Sequence, residues 1–187
     1  MPGRLIQSLI GIVLLHSFSG AQPLTSLSVF GLRPGMRRVQ VNKIMGGSGR
    51  EESYTARHGN TVPITLTQSV YPRPGGGWVR VRFFPGRPGP KATDTAGEIQ
   101  SDFAQVGKLV LQVGERLPRE LQPPQGRPTT RYFTQGVLTY GGSTQWVFPV
   151  SGGYARLSMQ NEKLSSITLS TGAFENQEVA DWEDRNK

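Results

Sequence analysis

The stretch RYFTQGVLTYGGSTQWVFPVSGGYARLSMQNEKLSSITLS, residues 131–170, is read as four strands joined by three short connections. The runs 131–140, 144–150, 154–160 and 164–170 are separated by Gly141-Gly142-Ser143, Ser151-Gly152-Gly153 and Asn161-Glu162-Lys163, each short enough to be a hairpin turn. An antiparallel meander is therefore expected here, and it sets the fold class.

Working outward, residues 61–71 are rich in Thr, Val and Ile and residues 77–84 alternate cleanly, with 72–76 as the turn, so an N-terminal hairpin is expected. Between hairpin and meander the spacing predicts a main helix near 96–117. Thr95 and Glu98 fit a capping box, and Ile99, Phe103, Val106, Val110, Val113 and Leu117 recur at steps of four and three, although Gly107 and Gly114 weaken the helix. A short helix is expected within 35–46, entered after Pro34 and stopped by Gly46, with Arg37 and Arg38 opposing its dipole. Residues 47–60 read as a polar loop, and 85–97 and 118–128 as Pro-rich loops. Residues 171–187 read as an acidic tail, either without fixed structure or making one helical turn on Phe174, Val179 and Trp182. The expected class is α+β: an antiparallel sheet, made of the four-stranded meander and the hairpin, packed by one main and one short helix.

The first 21 residues, MPGRLIQSLIGIVLLHSFSGA, read as a secretory signal peptide. Arg4 gives the positive start, 9–15 the apolar run, and Ser19-Gly20-Ala21 the small residues before a cut after Ala21. The run falls short of the roughly 20 residues a spanning helix needs, and no later segment reaches that length. A periplasmic or secreted protein without an integral membrane segment is expected, organised as a single domain over 22–170 or as two small helix–sheet units, 22–84 and 96–170. The chain has no cysteine, so neither a disulfide nor a lipidated thiol is available, and burial and strand pairing must hold it.

The formal net charge is +8, unevenly spread: residues 22–158 hold 17 basic and 7 acidic side chains, residues 159–187 only 3 basic against 6 acidic. A basic body with an acidic tail favours anionic partners, and it also lets the tail lie on the body as an internal counter-ion. Groups for catalysis are sparse. Beyond the leader, His58 is the one histidine, set in a polar loop with no G-x-S-x-G elbow to serve. One histidine and no cysteine leave too few ligands for zinc. No catalytic residue, metal or cofactor is expected. Asp94, Glu98 and Asp102 stand at i, i+4 and i+8 of the expected main helix. They read as dipole-complementing acids or, alternatively, as the carboxylates of a cell-wall or polysaccharide hydrolase.

The most suggestive binding feature is YPRPGGGWVRVRFF, residues 71–84. On a strand, Val79, Val81 and Phe83 face one way and Trp78, Arg80, Arg82 and Phe84 the other. Two guanidinium groups between two aromatic rings can hold anionic, planar or carbohydrate groups, and Arg73, Arg87 and Lys91 extend the patch from the flanking loops. The alternative is an outer strand face on which arginine stems shield the rings. Secreted nucleic-acid binding is a further reading, for which basicity alone is a weak footprint.

LRPGMRRVQVNKIMG, residues 32–46, resembles the Gly-Met, Val, Leu-Gly pattern of the SmpA/OmlA (BamE) and β-lactamase-inhibitor-protein-like superfamily. Gly35 and Met36 match, Val39 or Val41 takes the valine position, and Met45-Gly46 stands where the family has Leu-Gly. The lipobox and disulfide cysteines of those proteins are missing here. The resemblance implies a short helical motif followed by an antiparallel sheet, a role in binding other proteins in the bacterial envelope or outside the cell, and no catalytic residues. A similar echo at 107–113, ahead of the meander, implies that the helix-then-sheet unit occurs twice. The expected function is an exported, non-enzymatic binding module of the cell envelope or exterior. It would contact a protein or an anionic surface polymer through Trp78, Arg80, Arg82, Phe84 and Arg73, with its oligomeric state left open.

Overall fold

A computed structural model describes residues 24–56, 64–73, 75–84, 94–126 and 128–187. Residues 1–21, expected to be a leader, lie outside the described residues, as do His58, Arg87 and Lys91. The N-terminal part runs through α1 (Arg38–Met45), β1 (Arg50–Ala56), β2 (Ile64–Pro72), β3 (Trp78–Phe84) and β4 (Thr95–Ser101). A small hairpin follows, β5 (Phe103–Val106) and β6 (Leu109–Gln112), then β7 (Tyr132–Phe133) and β8 (Gly136–Tyr140). The chain ends with β9 (Ser143–Val150), β10 (Gly153–Gln160), β11 (Lys163–Ser170), β12 (Phe174–Glu175) and α2 (Gln177–Arg185). Eight strands form one antiparallel sheet in the order β1-β2-β3-β4-β11-β10-β9-β8, while β5–β6 and β7–β12 are separate two-stranded pairs. The class is α+β, mostly antiparallel sheet with two α-helices among the described residues.

The meander is β8 to β11 and the hairpin is β2–β3. The first meander strand is shorter than expected. Residues 134–135 bend, and Tyr132–Phe133 leaves the main sheet to pair with Phe174–Glu175. The polar loop over 47–60 instead contains β1, an edge strand paired with β2 over its whole length. Charged residues suit such an edge, so its polarity hides it.

The main helix expected near 96–117 is not formed; β4, β5 and β6 occupy that stretch. Its steps of three and four arise because period-two pieces are put out of phase twice, by the bend at Asp102 and by the turn at Gly107-Lys108, where Gly107 takes φ +57°. Thr, Ile and Val favour strands, and β4 is flanked on both sides, by β3 and β11, so sheet pairing overrides a weak helical preference. The short helix does form. Gly46 closes α1 in the left-handed region at φ +78°, and the Arg37 N–H donates to Gln40 Oε1 at 2.9 Å at its start. The opposing charge of Arg38 is absorbed by Glu51 and Asp94, at 3.4 and 3.3 Å. The acidic tail is also ordered as β12 and α2, held to the body where Arg131 meets Glu175 and Glu183, each at 3.0 Å. Those two carboxylates, Glu183 first, raise the Arg131 pKa.

One face of the sheet is the core. The cross-strand rows Val137–Trp146–Leu157–Ile167–Ser101–Val79–Tyr71 and Phe148–Ala155–Leu169–Ile99–Val81–Ser69 are buried throughout. They are covered by Leu27, Val29 and Leu32 of the N-terminal segment, by Val41 of α1, and by Ala104, Val106 and Leu111 of β5–β6. Each Leu or Val among them contributes about 1.5–3 kcal/mol on burial. Among the described residues the opposite face carries the small cluster of Phe133, Val147 and Phe174 with Tyr154, where β7 and β12 lie over the meander. No helix among the described residues is long and apolar enough to cross a membrane.

Tyr71 ties the N-terminal half together. Its ring lies over Gly49 and its hydroxyl donates to Asn42 Oδ1 of α1 at 2.7 Å. Burial raises its phenol pKa above the ordinary 10.0. The unfolded chain therefore ionises first, so the stabilisation is complete below pH 10.0 and is lost as pH rises through the folded-state value. Urea midpoints at pH 8 and pH 11 should fall more for the wild type than for Tyr71→Phe; parallel losses would show that Tyr71 does not titrate on unfolding.

Candidate functional site

The uncovered half of the second face is built around β3 and its neighbours. Inward Val79 and Val81 are fully buried, which forces Trp78, Arg80 and Arg82 onto the other side. The ladder then sets their company. Arg80 stands opposite Gln100, Gln100 opposite Thr168, and Thr168 opposite Arg156, so two arginines bracket a polar row across β3, β4, β11 and β10. With strands ~4.8 Å apart, their Cα atoms lie ~14 Å from each other.

The arginines of this region fall into two groups. Arg82 is neutralised: its Nη2 donates to Glu98 Oε2 at 2.8 Å and its Nη1 to the Tyr54 hydroxyl at 3.2 Å, while Glu98 Oε1 accepts from Gln100 at 2.8 Å. Arg73, at the β2–β3 turn, faces Asp102 at 3.6 Å, lies 5.2 Å over the Phe103 ring, and bonds the Gly76 carbonyl. Arg80 and Arg156 have no carboxylate partner among the described residues. Arg80 lies 3.8 Å over the Trp78 ring and Arg156 4.7 Å over the Phe174 ring. Both Nε atoms are sealed from solvent without a hydrogen-bond partner. Burial pulls the Arg156 pKa below that of a free arginine, with Glu98 acting in the opposite sense. Beside Arg156 opens a concavity of about 270 Å³ lined also by Trp78, Gln100, Asp102, Ser166 and Thr168. A ring beneath a guanidinium fixes its plane but uses none of its fork of N–H donors, which remains fit for a carboxylate, sulfate or phosphate.

Alternation along β3 thus brings Trp78, Arg80 and Arg82 together. Phe84, 41 % exposed, has its ring seated on Gly97 and lies 5.4 Å beneath the Arg82 guanidinium, while Arg73 is turned into its own ion pair. Arg156 was not singled out from the sequence. Its alternation with buried Ala155 and Leu157 marks an outward residue, but which strands flank β10 is a long-range fact. The carboxylates of the alternative hydrolase reading each face a different arginine: Asp94 meets Arg38, Glu98 meets Arg82 and Asp102 meets Arg73. In the motif at 32–46, the Gly35 N–H donates to the Ala96 carbonyl at 2.8 Å and the Met36 carbonyl accepts from the Ala96 N–H at 2.7 Å, docking the helix entry onto β4. Val41 is the buried valine of α1, whereas Val39 is 55 % exposed.

The chain finds no match among protein-family models, curated proteins or solved structures.

A partly buried cation that makes no ion pair is a stability cost, and removing it is often stabilising. Arg156→Met is expected to raise the urea unfolding free energy by about 1 kcal/mol. Arg82→Met, which strips Glu98 of its ion pair, is expected to lower it by about 1–2 kcal/mol. Equal losses in both variants would mean that Arg156 is held by interactions of the same kind as Arg82.

Proposed function

We propose that the protein is an exported, non-enzymatic binding module of the cell envelope or exterior, and that its open sheet face takes an anionic polymer. The observation that carries this reading is the pair Arg80 and Arg156, each resting on an aromatic ring instead of a carboxylate, at the two ends of the Gln100–Thr168 row. The leader-like residues 1–21 support export, and the mature charge excess over 22–158 supports attraction of polyanions. The resemblance of residues 32–46 to the BamE-like superfamily supports a binding role in the same compartment. Trp78, Arg80 and Arg156 are the proposed contacts, with Arg82 holding Glu98 and Tyr54 in place beside them.

Binding of dextran sulfate and of uncharged dextran, measured by calorimetry at 50 and 200 mM salt, tests the assignment. Dextran sulfate is expected to bind and dextran not to. Arg80→Ala and Arg156→Ala should each weaken binding about tenfold, near 1.4 kcal/mol. Arg119→Ala removes the same single charge elsewhere and should change it little. If all these variants bound alike, charge alone would be responsible and the surface assignment would be wrong.

A further inference from the structure

The two edges of the main sheet differ in kind. β1 carries Arg50, Glu51 and Glu52, and charges of this sort discourage a further strand from pairing. β8 reads Gly136-Val137-Leu138-Thr139-Tyr140, with neither charge nor proline, and no strand among the described residues pairs with its outer side. Which of its backbone groups are unused follows from the turn. Gly141 and Gly142, at φ +55° and +79°, make a two-residue turn of the mirror-image type between Tyr140 and Ser143. Those flanking residues exchange both hydrogen bonds, and the pattern alternates back along the strand. Gly136, Leu138 and Tyr140 therefore direct their N–H and C=O groups to β9, and Val137 and Thr139 direct theirs outward.

We propose that β8 is a dimerisation edge, on which a second copy of this chain pairs antiparallel about a two-fold axis through Leu138. This register uses both outward residues of each copy. Val137 pairs with the partner's Thr139, and Thr139 with the partner's Val137, giving four backbone hydrogen bonds. Gly136 then faces the partner's Tyr140. Tyr140 is 72 % exposed in the single chain, and seating its ring over a glycine repeats a device the fold already uses where Phe84 covers Gly97 and Tyr71 covers Gly49. Pro128, 3.4 Å from where a Gly136 side chain would begin, supplies an apolar wall for that ring. Concavities of about 370 Å³ and about 630 Å³ flank β8 on opposite faces of the sheet, the first beside Leu138 and Tyr140, the second beside Thr139. Such a contact is isologous and closes at two copies, which accounts for an uncharged edge that would otherwise invite open-ended pairing. It is independent of the ligand proposed for the sheet face.

Sedimentation velocity of the purified chain from 1 to 200 μM tests the proposal. The wild type is expected to shift from monomer to dimer with concentration. Thr139→Pro removes an outward N–H while leaving the bonds to β9 intact, as edge strands tolerate, and should remain monomeric. Tyr140→Lys leaves the backbone unchanged and places a charge on the edge; it should raise the dissociation constant at least tenfold even if Thr139→Pro folds poorly. A wild type that stays monomeric at 200 μM, or a dimer that Tyr140→Lys leaves unweakened, would overturn it.

Discussion

Four residue pairs, Glu98–Ser170, Ile99–Leu169, Gln100–Thr168 and Ser101–Ile167, join β4 to β11 and turn two groups of four strands into one sheet. Everything else depends on this seam. On its inner side Ile99 and Ile167 carry the apolar rows across from Val79 and Val81 to Leu157 and Trp146. On its outer side Gln100 and Thr168 form the polar floor between Arg80 and Arg156. Ser101, buried at the end of the ladder, is satisfied twice: its hydroxyl donates to the Trp78 carbonyl at 3.2 Å and accepts the Phe103 N–H at 3.1 Å. That second bond turns the chain out of the sheet into β5, which returns to cover the core face.

Charge follows the same geometry. The acidic tail does serve as an internal counter-ion, but at Arg131, where Glu175, Glu183 and Asp184 gather within 3.7 Å. Arg38, Arg73 and Arg82 likewise have acids of their own. Arg80 and Arg156 instead rest on rings and make no ion pair among the described residues. Keeping a partly buried guanidinium in that state lowers stability, and a chain without a disulfide has little to spare. Such a cost is what a binding residue typically imposes on a fold.

Much of the sheet was legible in the sequence because its strands are rich in Val, Thr and aromatic residues and are punctuated by Gly-rich turns, as at Gly141-Gly142 and Ser151-Gly152-Gly153. Gly46 marked the end of α1 for an equally local reason. The stretch 96–117 misled because Asp102 and Gly107-Lys108 shift a period of two into an apparent 3.5, and local spacing cannot show that β4 has a neighbour on each side. β1 was hidden by the polarity that an edge strand needs. For the site, alternation sufficed to put Trp78, Arg80 and Arg82 on one face. It could not reveal that Glu98, expected as a helix-capping acid, neutralises Arg82, nor that Arg156, 76 residues along the chain from Arg80, lies in the same row.

The central claim is that Arg80 and Arg156 act together as the two ends of one anion-binding face. The side-chain Nε–Hε resonances of all arginines can be followed by NMR while a defined sulfated oligosaccharide is added to the protein. The signals of Arg80 and Arg156 are expected to shift together and saturate with one dissociation constant, while that of solvent-facing Arg116 stays in place. Shifts spread over the exposed arginines without saturation, or two unrelated constants for Arg80 and Arg156, would contradict it.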